Sequence, residues 1–165
     1  MTLHTKAPPS MLLAAAVAED LMTANPISIH AGASVQEALA MLTDRGFSAA
    51  PVIDEAGRPV GVLSKTDLLV HERERGATVP LADMTEWDVP PHRLREGFAV
   101  EVIDPTRVRD IMTPIVFTVP LDTPVRQVIE QMLALKVHHL FVVDEDRALV
   151  GVISPLDVLR HLRSA

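Results

Sequence analysis

The sequence predicts an α/β (α+β) fold made of two β-α-β-β-α units that pack against each other. The phrase GVLSKTD at 61–67 returns as GVISPLD at 151–157, which indicates a duplicated unit. Apolar residues form 48% of the 165-residue chain, enough for a sizeable core. Aromatic residues form only 3%, so that core must consist of aliphatic side chains, as in tightly interleaved helices and strands.

An internal repeat extends well beyond this phrase. A shift of ninety residues aligns 20–71 with 110–161 without a gap, and fourteen of the fifty-two aligned positions are identical. Neither copy of roughly 50 residues could bury its apolar strands alone, so we expect the copies to pack together. The identical pairs include Met22/Met112, Thr23/Thr113, Gly61/Gly151, Ser64/Ser154 and Asp67/Asp157.

Each copy starts with a short extended segment, PISI at 26–29 or VFTV at 116–119, and continues as a helix. Ser34 and Glu37 have the spacing of a capping box at the start of the first helix, and Gly46 is placed to end it. The apolar residues predicted to share one helical face are Val35, Ala38, Leu39 and Leu42 in the first copy and Val125, Val128, Ile129 and Met132 in the second.

Two β-rich runs and a closing helix complete each copy. In the first copy PVID and PVGVL flank the turn-forming segment EAGR at 55–58, and FVVD and LVGVI are their counterparts in the second. The closing helices begin at Ser64 and Ser154. Because the strands are nearly all apolar, we expect both of their faces to be covered.

Two segments lie outside the repeated units, which we place at 18–75 and 107–165. Residues 1–17 form an N-terminal tail whose run MLLAAAVA imitates a secretory signal, but its shortness and the prolines before it favour a buried helix. Residues 76–106 form a long linker, rich in charge and proline, that is either functional or flexible. HERER at 71–75 is typical of a solvated helix end.

Composition excludes several classes of protein. The net charge of −7 argues against a broad contact with nucleic acid or an anionic membrane. No run approaches the ~20 apolar residues of a membrane span, so we expect a soluble protein. The chain has no cysteine, which removes disulfides and thiolate chemistry and suits a reducing, cytoplasmic location.

The residues also argue against metal binding and catalysis. Seven histidines invite a metal hypothesis, but His138 and His139 are adjacent and would point to opposite faces of a strand. No histidine pair has i, i+4 spacing with a glutamate, and no nucleophile elbow, P-loop or dinucleotide fingerprint occurs. We therefore expect neither a metal site nor an enzyme.

The repeated phrase has two interpretations. In the structural one, Ser64 and Ser154 cap helices, and Asp67 and Asp157 favour the helix dipole from the third position. In the functional one, a strand end followed at once by a helix start is a place for an anion or a sugar. A carboxylate there can accept two hydrogen bonds from ribose hydroxyls. The residues alone leave both interpretations open.

The segments DLMT, PISI, PVID and GVLSKTDLL, repeated as DIMT, VFTV, FVVD and GVISPLDVL, resemble two CBS motifs, named after cystathionine β-synthase. The resemblance covers about 20–71 and 107–163 and is that of a CBS tandem, or Bateman module. It implies pseudo-twofold symmetry and two clefts that bind a regulatory adenosine-containing ligand, such as AMP, ADP, ATP or S-adenosylmethionine, with no required cofactor. It also implies a homodimer, to which Leu68, Leu69, Val158, Leu159 and Leu162 could contribute unless they are core.

The resemblance further implies roles for individual residues. Asp67 and Asp157 match ribose-binding aspartates, and Ser64 and Ser154 match the hydroxyls beside them. Thr66, between Ser64 and Asp67 in the first copy, is a further ligand-binding candidate. The candidates along the adenine pocket are Thr23, Pro26, Ile27 and Ser28 with Thr113, Val116, Phe117 and Thr118, and Ala50 and Leu140 match a position near the base.

The two predicted clefts are unequal. The second copy has His139 where the first has Ala49, and the first has Lys65 where the second has Pro155. For His139 two roles stay open: it matches a position where the family places a basic residue towards phosphate, or it merely flanks a strand. For Lys65 the alternatives are phosphate binding and solvation. Two functions remain: a ligand sensor that signals to an unknown effector protein by changed packing, or a ligand-free dimerisation module.

Overall fold

The computed structural model describes residues 11–77 and 104–164. Most of the predicted linker and the first ten residues therefore lie outside the described part of the chain. The elements in chain order are β1 (Met11–Leu13), α1 (Ala18–Leu21), β2 (Thr23–Ala24), β3 (Ile29–His30), α2 (Val35–Asp44), β4 (Ala49–Ile53), β5 (Pro59–Ser64), α3 (Lys65–Ala77), α4 (Val108–Ile111), β6 (Thr118–Pro120), α5 (Val125–Leu135), β7 (Leu140–Val143), β8 (Leu149–Ile153), α6 (Pro155–Arg160) and β9 (Leu162–Ser164).

Both copies fold as the predicted β-α-β-β-α unit. In the first copy β3 lies parallel to β4, and β4 lies antiparallel to β5. In the second copy β6, β7 and β8 repeat the same order and directions. A parallel pair needs a crossover connection, which α2 and α5 supply. The α/β fold and the pseudo-twofold arrangement of two units are confirmed.

The two copies exchange their first helices. Ala18 and Leu21 of α1 lie in a core cluster with Val128 and Leu140 of the second copy. Val108 of α4 is fully buried in the core of the first copy. The strands cross in the same way, because β2 pairs antiparallel with β8 and Thr113 bridges Val62 of β5. The copies therefore pack together, as the repeat predicts.

The glycines of the repeated phrase permit this exchange. A Cβ on Gly61 would lie 2.5 Å from Sδ of Met112 and 2.8 Å from the backbone oxygen of Thr113. A Cβ on Gly151 would collide with Sδ of Met22. The methionine of each copy's Met-Thr pair thus lies directly over the glycine of the other copy, which links two of the repeated sequence patterns through space.

The predicted ends of α2, the first crossover helix, are confirmed, but its buried apolar face is narrower than predicted. Ser34 accepts from the Glu37 backbone N–H at 3.2 Å, and Glu37 accepts from the Ser34 N–H at 2.8 Å. Gly46, with φ 68°, follows the helix end. Leu39, however, is 45% exposed, because only the i, i+3, i+7 stripe of Val35, Ala38 and Leu42 faces the core. Val125, Val128 and Met132 are buried in α5, and Ile129 packs at the edge of the core.

The predicted buried helix at the N-terminus is wrong where the structure describes it. Met11–Leu13 form β1, which pairs antiparallel with β9 at the other end of the described chain. Met11 and Leu12 are exposed, so the apolar run contributes only its later residues to the core. The open edge of β9 offers backbone hydrogen bonds to this segment, and that pairing outweighs the helical tendency of the leucines and alanines.

The predicted solvated helix end at 71–75 is only partly right. His71 Nε2 lies 2.8 Å from Oδ2 of Asp104, and Arg75 Nη1 lies 3.2 Å from the same oxygen. The backbone N–H of Thr106 donates to Asp104 Oδ1 at 3.0 Å. Asp104 is 4% exposed, so this cluster fastens α3 to the last residues of the predicted linker, just before the second copy.

Candidate functional site

A cleft of about 820 Å³ lies between the two copies, within the size range of small-molecule pockets. Its walls come from both halves of the chain, and most of the lining is apolar. Nine predicted site residues line it: Thr23, Pro26, Ile27, Ala50, Ser64, Asp67, Thr113, Phe117 and His139. Residues of both repeats therefore form this cleft.

The start of α3 places a carboxylate and a hydroxyl on this cleft. Asp67 Oδ2 accepts from the Ser64 backbone N–H at 2.8 Å and from the Ser64 hydroxyl at 2.7 Å. In return the Asp67 N–H donates to Ser64 Oγ at 3.2 Å. Within the described chain, Asp67 Oδ1 has no hydrogen-bond or ion-pair partner. The capping interpretation is therefore confirmed, and it leaves one carboxylate oxygen available to the cleft.

The matching carboxylate of the second copy is placed differently. Asp157 Oδ2 accepts from the Ser154 N–H at 2.8 Å and from its hydroxyl at 2.6 Å, as in the first copy. Its Oδ1, however, lies 3.5 Å from Nη1 of Arg160. Asp157 is 7% exposed, and neither it nor Ser154 lines the cleft.

The other predicted residues lie off the cleft wall for local reasons. Side chains alternate along an extended segment, so Phe117 faces the cleft while Val116 and Thr118 line a second cavity of about 880 Å³. Leu140 is fully buried in the core of the second copy. The other predicted residues that do not line the cleft are Ser28, Lys65 and Thr66. Their roles toward a ligand stay predictions.

A basic segment of the second copy forms part of the wall. Lys136, Val137, His138 and His139 line the cleft in succession, and sequence reasoning identified only His139. Desolvation in the cleft and the neighbouring His138 lower the pKa of His139 below its ordinary value, while Asp157 acts in the opposite direction. Lys136 has φ 54° and aligns with Gly46, whose φ is 68°. Because Gly46 ends the matching helix of the first copy, its alignment with Lys136 was the sequence signal for a left-handed residue at the end of α5.

One group of side chains outside the cleft has the proximity of metal ligands. Ligand atoms of His71, Glu72 and Asp104 lie within 4.8 Å of one another. Arg75 Nη1 lies 3.2 Å from Asp104 and 3.6 Å from Glu72, so a guanidinium already supplies the positive charge. Burial tends to raise the pKa of Asp104, but hydrogen bonds from His71 and Thr106 and the charge of Arg75 hold it well below its usual range.

Within residues 11–77 and 104–164, no helix has the length and apolar character needed to cross a membrane.

The fold and the cleft define a class of protein: a duplicated α/β module with a ligand-sized cleft between its copies. A sequence model of the CBS domain matches residues 17–74 and 108–164, so the chain belongs to the CBS domain family as a tandem pair. The resemblance in the repeated motifs is thereby confirmed.

Relatives with known sequences include longer proteins. The chain is 30% identical over 151 residues to the CBS domain-containing protein CBSX1, chloroplastic, of Arabidopsis thaliana, covering 86% of this chain and 59% of that one. It is 25% identical over 142 residues to the L-aspartate semialdehyde sulfurtransferase of Methanocaldococcus jannaschii, covering 86% of this chain. The chain spans only 22% of that enzyme's length.

Two solved structures with ligands are similar to this fold. The structure of CBSX2 in complex with AMP has a TM-score of 0.62 and 26% identity, covering 87% of this chain and 93% of that one. The structure of the cytosolic domain of the Mg²⁺ channel MgtE in complex with ATP has a TM-score of 0.61 and 30% identity. That match covers 88% of this chain and 48% of the MgtE chain.

Proposed function

We propose that this chain is a regulatory module that binds an adenosine-containing ligand in the cleft and signals to an effector protein by changed packing of its copies. The observation that carries the proposal is the Asp67 carboxylate, which lines the cleft beside the Ser64 hydroxyl and has one oxygen without a partner among the described residues. The Asp67 oxygen and the Ser64 hydroxyl oxygen can together accept hydrogen bonds from both ribose hydroxyls.

Two further features support an adenosyl ligand. Apolar side chains such as Ile27, Ala50 and Phe117 can contact the faces of a base, while Lys136 and the histidines provide a basic end to the cleft. The similar structures of CBSX2 and of the MgtE cytosolic domain hold AMP and ATP. The candidates are AMP, ADP, ATP and S-adenosylmethionine, acting as regulatory ligands rather than as required cofactors.

The proposed role is non-catalytic and cytoplasmic. The cleft offers one capped carboxylate and a basic segment, but no nucleophile paired with a general base is apparent among its lining residues. The sulfurtransferase relative is far longer than this chain, so its chemistry can reside outside the matched part.

A thermal-shift panel of the four ligands tests the proposal. A ligand present at a hundred times its Kd stabilises the folded state by about 2.7 kcal/mol, which raises the Tm of a chain of this size by roughly 5–10 °C. Asp67→Ala should abolish that rise, and Asp122→Ala, at an exposed turn, should leave it unchanged. No rise with any of the four ligands, as expected for a ligand-free dimerisation module, would contradict the proposal.

The proposed assembly is a homodimer through the helices. Leu69 of α3 and Leu159 of α6 are 70% and 59% exposed, and they occupy equivalent positions in the two copies. Leu68 is instead buried in the first core. Of the remaining candidates, Val158 and Leu162 are half-buried. Sedimentation should give twice the 18.0 kDa monomer mass. Leu69→Glu with Leu159→Glu should give the monomer, and an unchanged mass would exclude this face.

A further inference from the structure

The two copies hold the same serine and aspartate in the same cap but expose the aspartate differently. Asp67 is half-buried on the cleft wall, and its Oδ1 has no partner among the residues that the structure describes. The Asp157 side chain is 10% exposed and lies off the cleft wall, with Arg160 Nη1 3.5 Å from its Oδ1. A ribose needs a carboxylate oxygen that it can reach, and only the first copy offers one.

The repeat identifies the substitution behind this difference. Arg160 occupies the position of Val70, and a valine cannot pair with an aspartate.

We infer that the chain binds one adenosine-containing ligand rather than two, at Asp67, because the second aspartate is buried off the cleft wall and paired with Arg160. This inference rests on the proposed function and adds its stoichiometry and its specificity-determining residue. Arg160 then acts as an internal partner that takes the place of the ribose hydroxyls.

Isothermal titration of the full chain with AMP, and separately with ATP, measures the stoichiometry directly. We expect one nucleotide per chain. Asp67→Ala should weaken binding at least tenfold, whereas Asp157→Ala should change the affinity by less than twofold. Melting curves without nucleotide establish that each variant is folded at the temperature of the titration.

A transplant of the second copy's arginine onto the first tests the cause without touching either aspartate. Val70→Arg should weaken AMP binding at least tenfold although Asp67 is intact. Val70 is exposed, so the Tm without ligand should change little. The single variant Val70→Gln serves as a control, because it adds a long polar side chain without a charge and should leave most of the affinity.

The outcomes separate this inference from the proposed function. Two nucleotides per chain, equal losses in Asp67→Ala and Asp157→Ala, or wild-type affinity in Val70→Arg would each overturn the single-site inference while leaving an adenosyl sensor. Binding of neither nucleotide nor S-adenosylmethionine by the wild-type chain would instead contradict the proposed function.

Discussion

At the scale of single residues, Asp104 fastens α3 of the first copy to the end of the linker that leads into the second copy, through three donors that converge on one buried carboxylate. His71 and Arg75 reach it from α3, and Thr106 reaches it from its own segment. Their hydrogen bonds and charge outweigh the cost of burial and hold the pKa of Asp104 well below its usual range. The folded state therefore binds fewer protons at this site than the unfolded chain does.

Asp104→Asn should lower the free energy of unfolding at pH 7 by about 1.5–3 kcal/mol, the usual contribution of a hydrogen bond to a charged group. The wild-type contribution is present above the unfolded aspartate pKa of about 3.9 and is lost as the pH falls below it. Urea unfolding at pH 7 and pH 3 measures both effects, and the variant should lose less stability than the wild type between these two values.

Asp122→Asn is the matched control, because Asp122 is exposed and should contribute less than about 0.5 kcal/mol. Equal stability of Asp104→Asn and wild type at pH 7 would exclude this cluster as a fastening between α3 and the end of the linker.

The site residues were predictable from the sequence only in part. The three-residue spacing of Ser64 and Asp67 predicts the cap, and the structure confirms it. Asp67 lines the cleft, whereas Asp157 lies off its wall beside Arg160. The same Ser-x-x-Asp spacing occurs in both copies, so this spacing alone does not predict the difference between them.

At the scale of elements, the repeated glycines are contact points between a strand of one copy and the residues that directly follow the first helix of the other copy. Gly61 lies on β5 under Met112 and Thr113, with no room for a side chain. The order of helices and strands in each copy was predictable, because the spacing of apolar residues and the turn-forming residues are features of neighbouring positions in the sequence. The exchange of α1 and α4 was not, because both possible packings bury the same apolar residues.

Gly61→Ala should destabilise the fold by about 1–3 kcal/mol, the typical cost of forcing a methyl group into a packed core. The backbone oxygen of Thr113, 2.8 Å from the added Cβ, cannot move away as a side chain could. Urea unfolding measures the loss.

Gly32→Ala provides the comparison, since its nearest neighbour is the movable imidazole of His30 at 3.2 Å. Its effect should stay within about 0.5 kcal/mol. Equal stabilities of the two alanine variants would show that the glycine contact in β5 does not constrain the exchange.

At the scale of the whole molecule, the exchanged helices make the cleft a product of both copies. The wall contains Asp67 from the first copy and the Lys136–His139 segment from the second, so a bound ligand would contact both. Such a ligand favours whichever relative placement of the copies suits it best, and this differential affinity is the physical requirement for a sensor. The duplication was predictable from the aligned identities and clefts between the copies from the family resemblance, while the residues that line this cleft depended on the three-dimensional exchange.

The most direct measurement of the central claim is a crystal structure of the full chain grown with AMP. The account predicts one AMP per chain in the shared cleft, with ribose hydroxyls within hydrogen-bonding distance of the Asp67 carboxylate. A well-ordered AMP whose ribose contacts neither Asp67 nor Ser64, or an AMP bound outside this cleft, would contradict it.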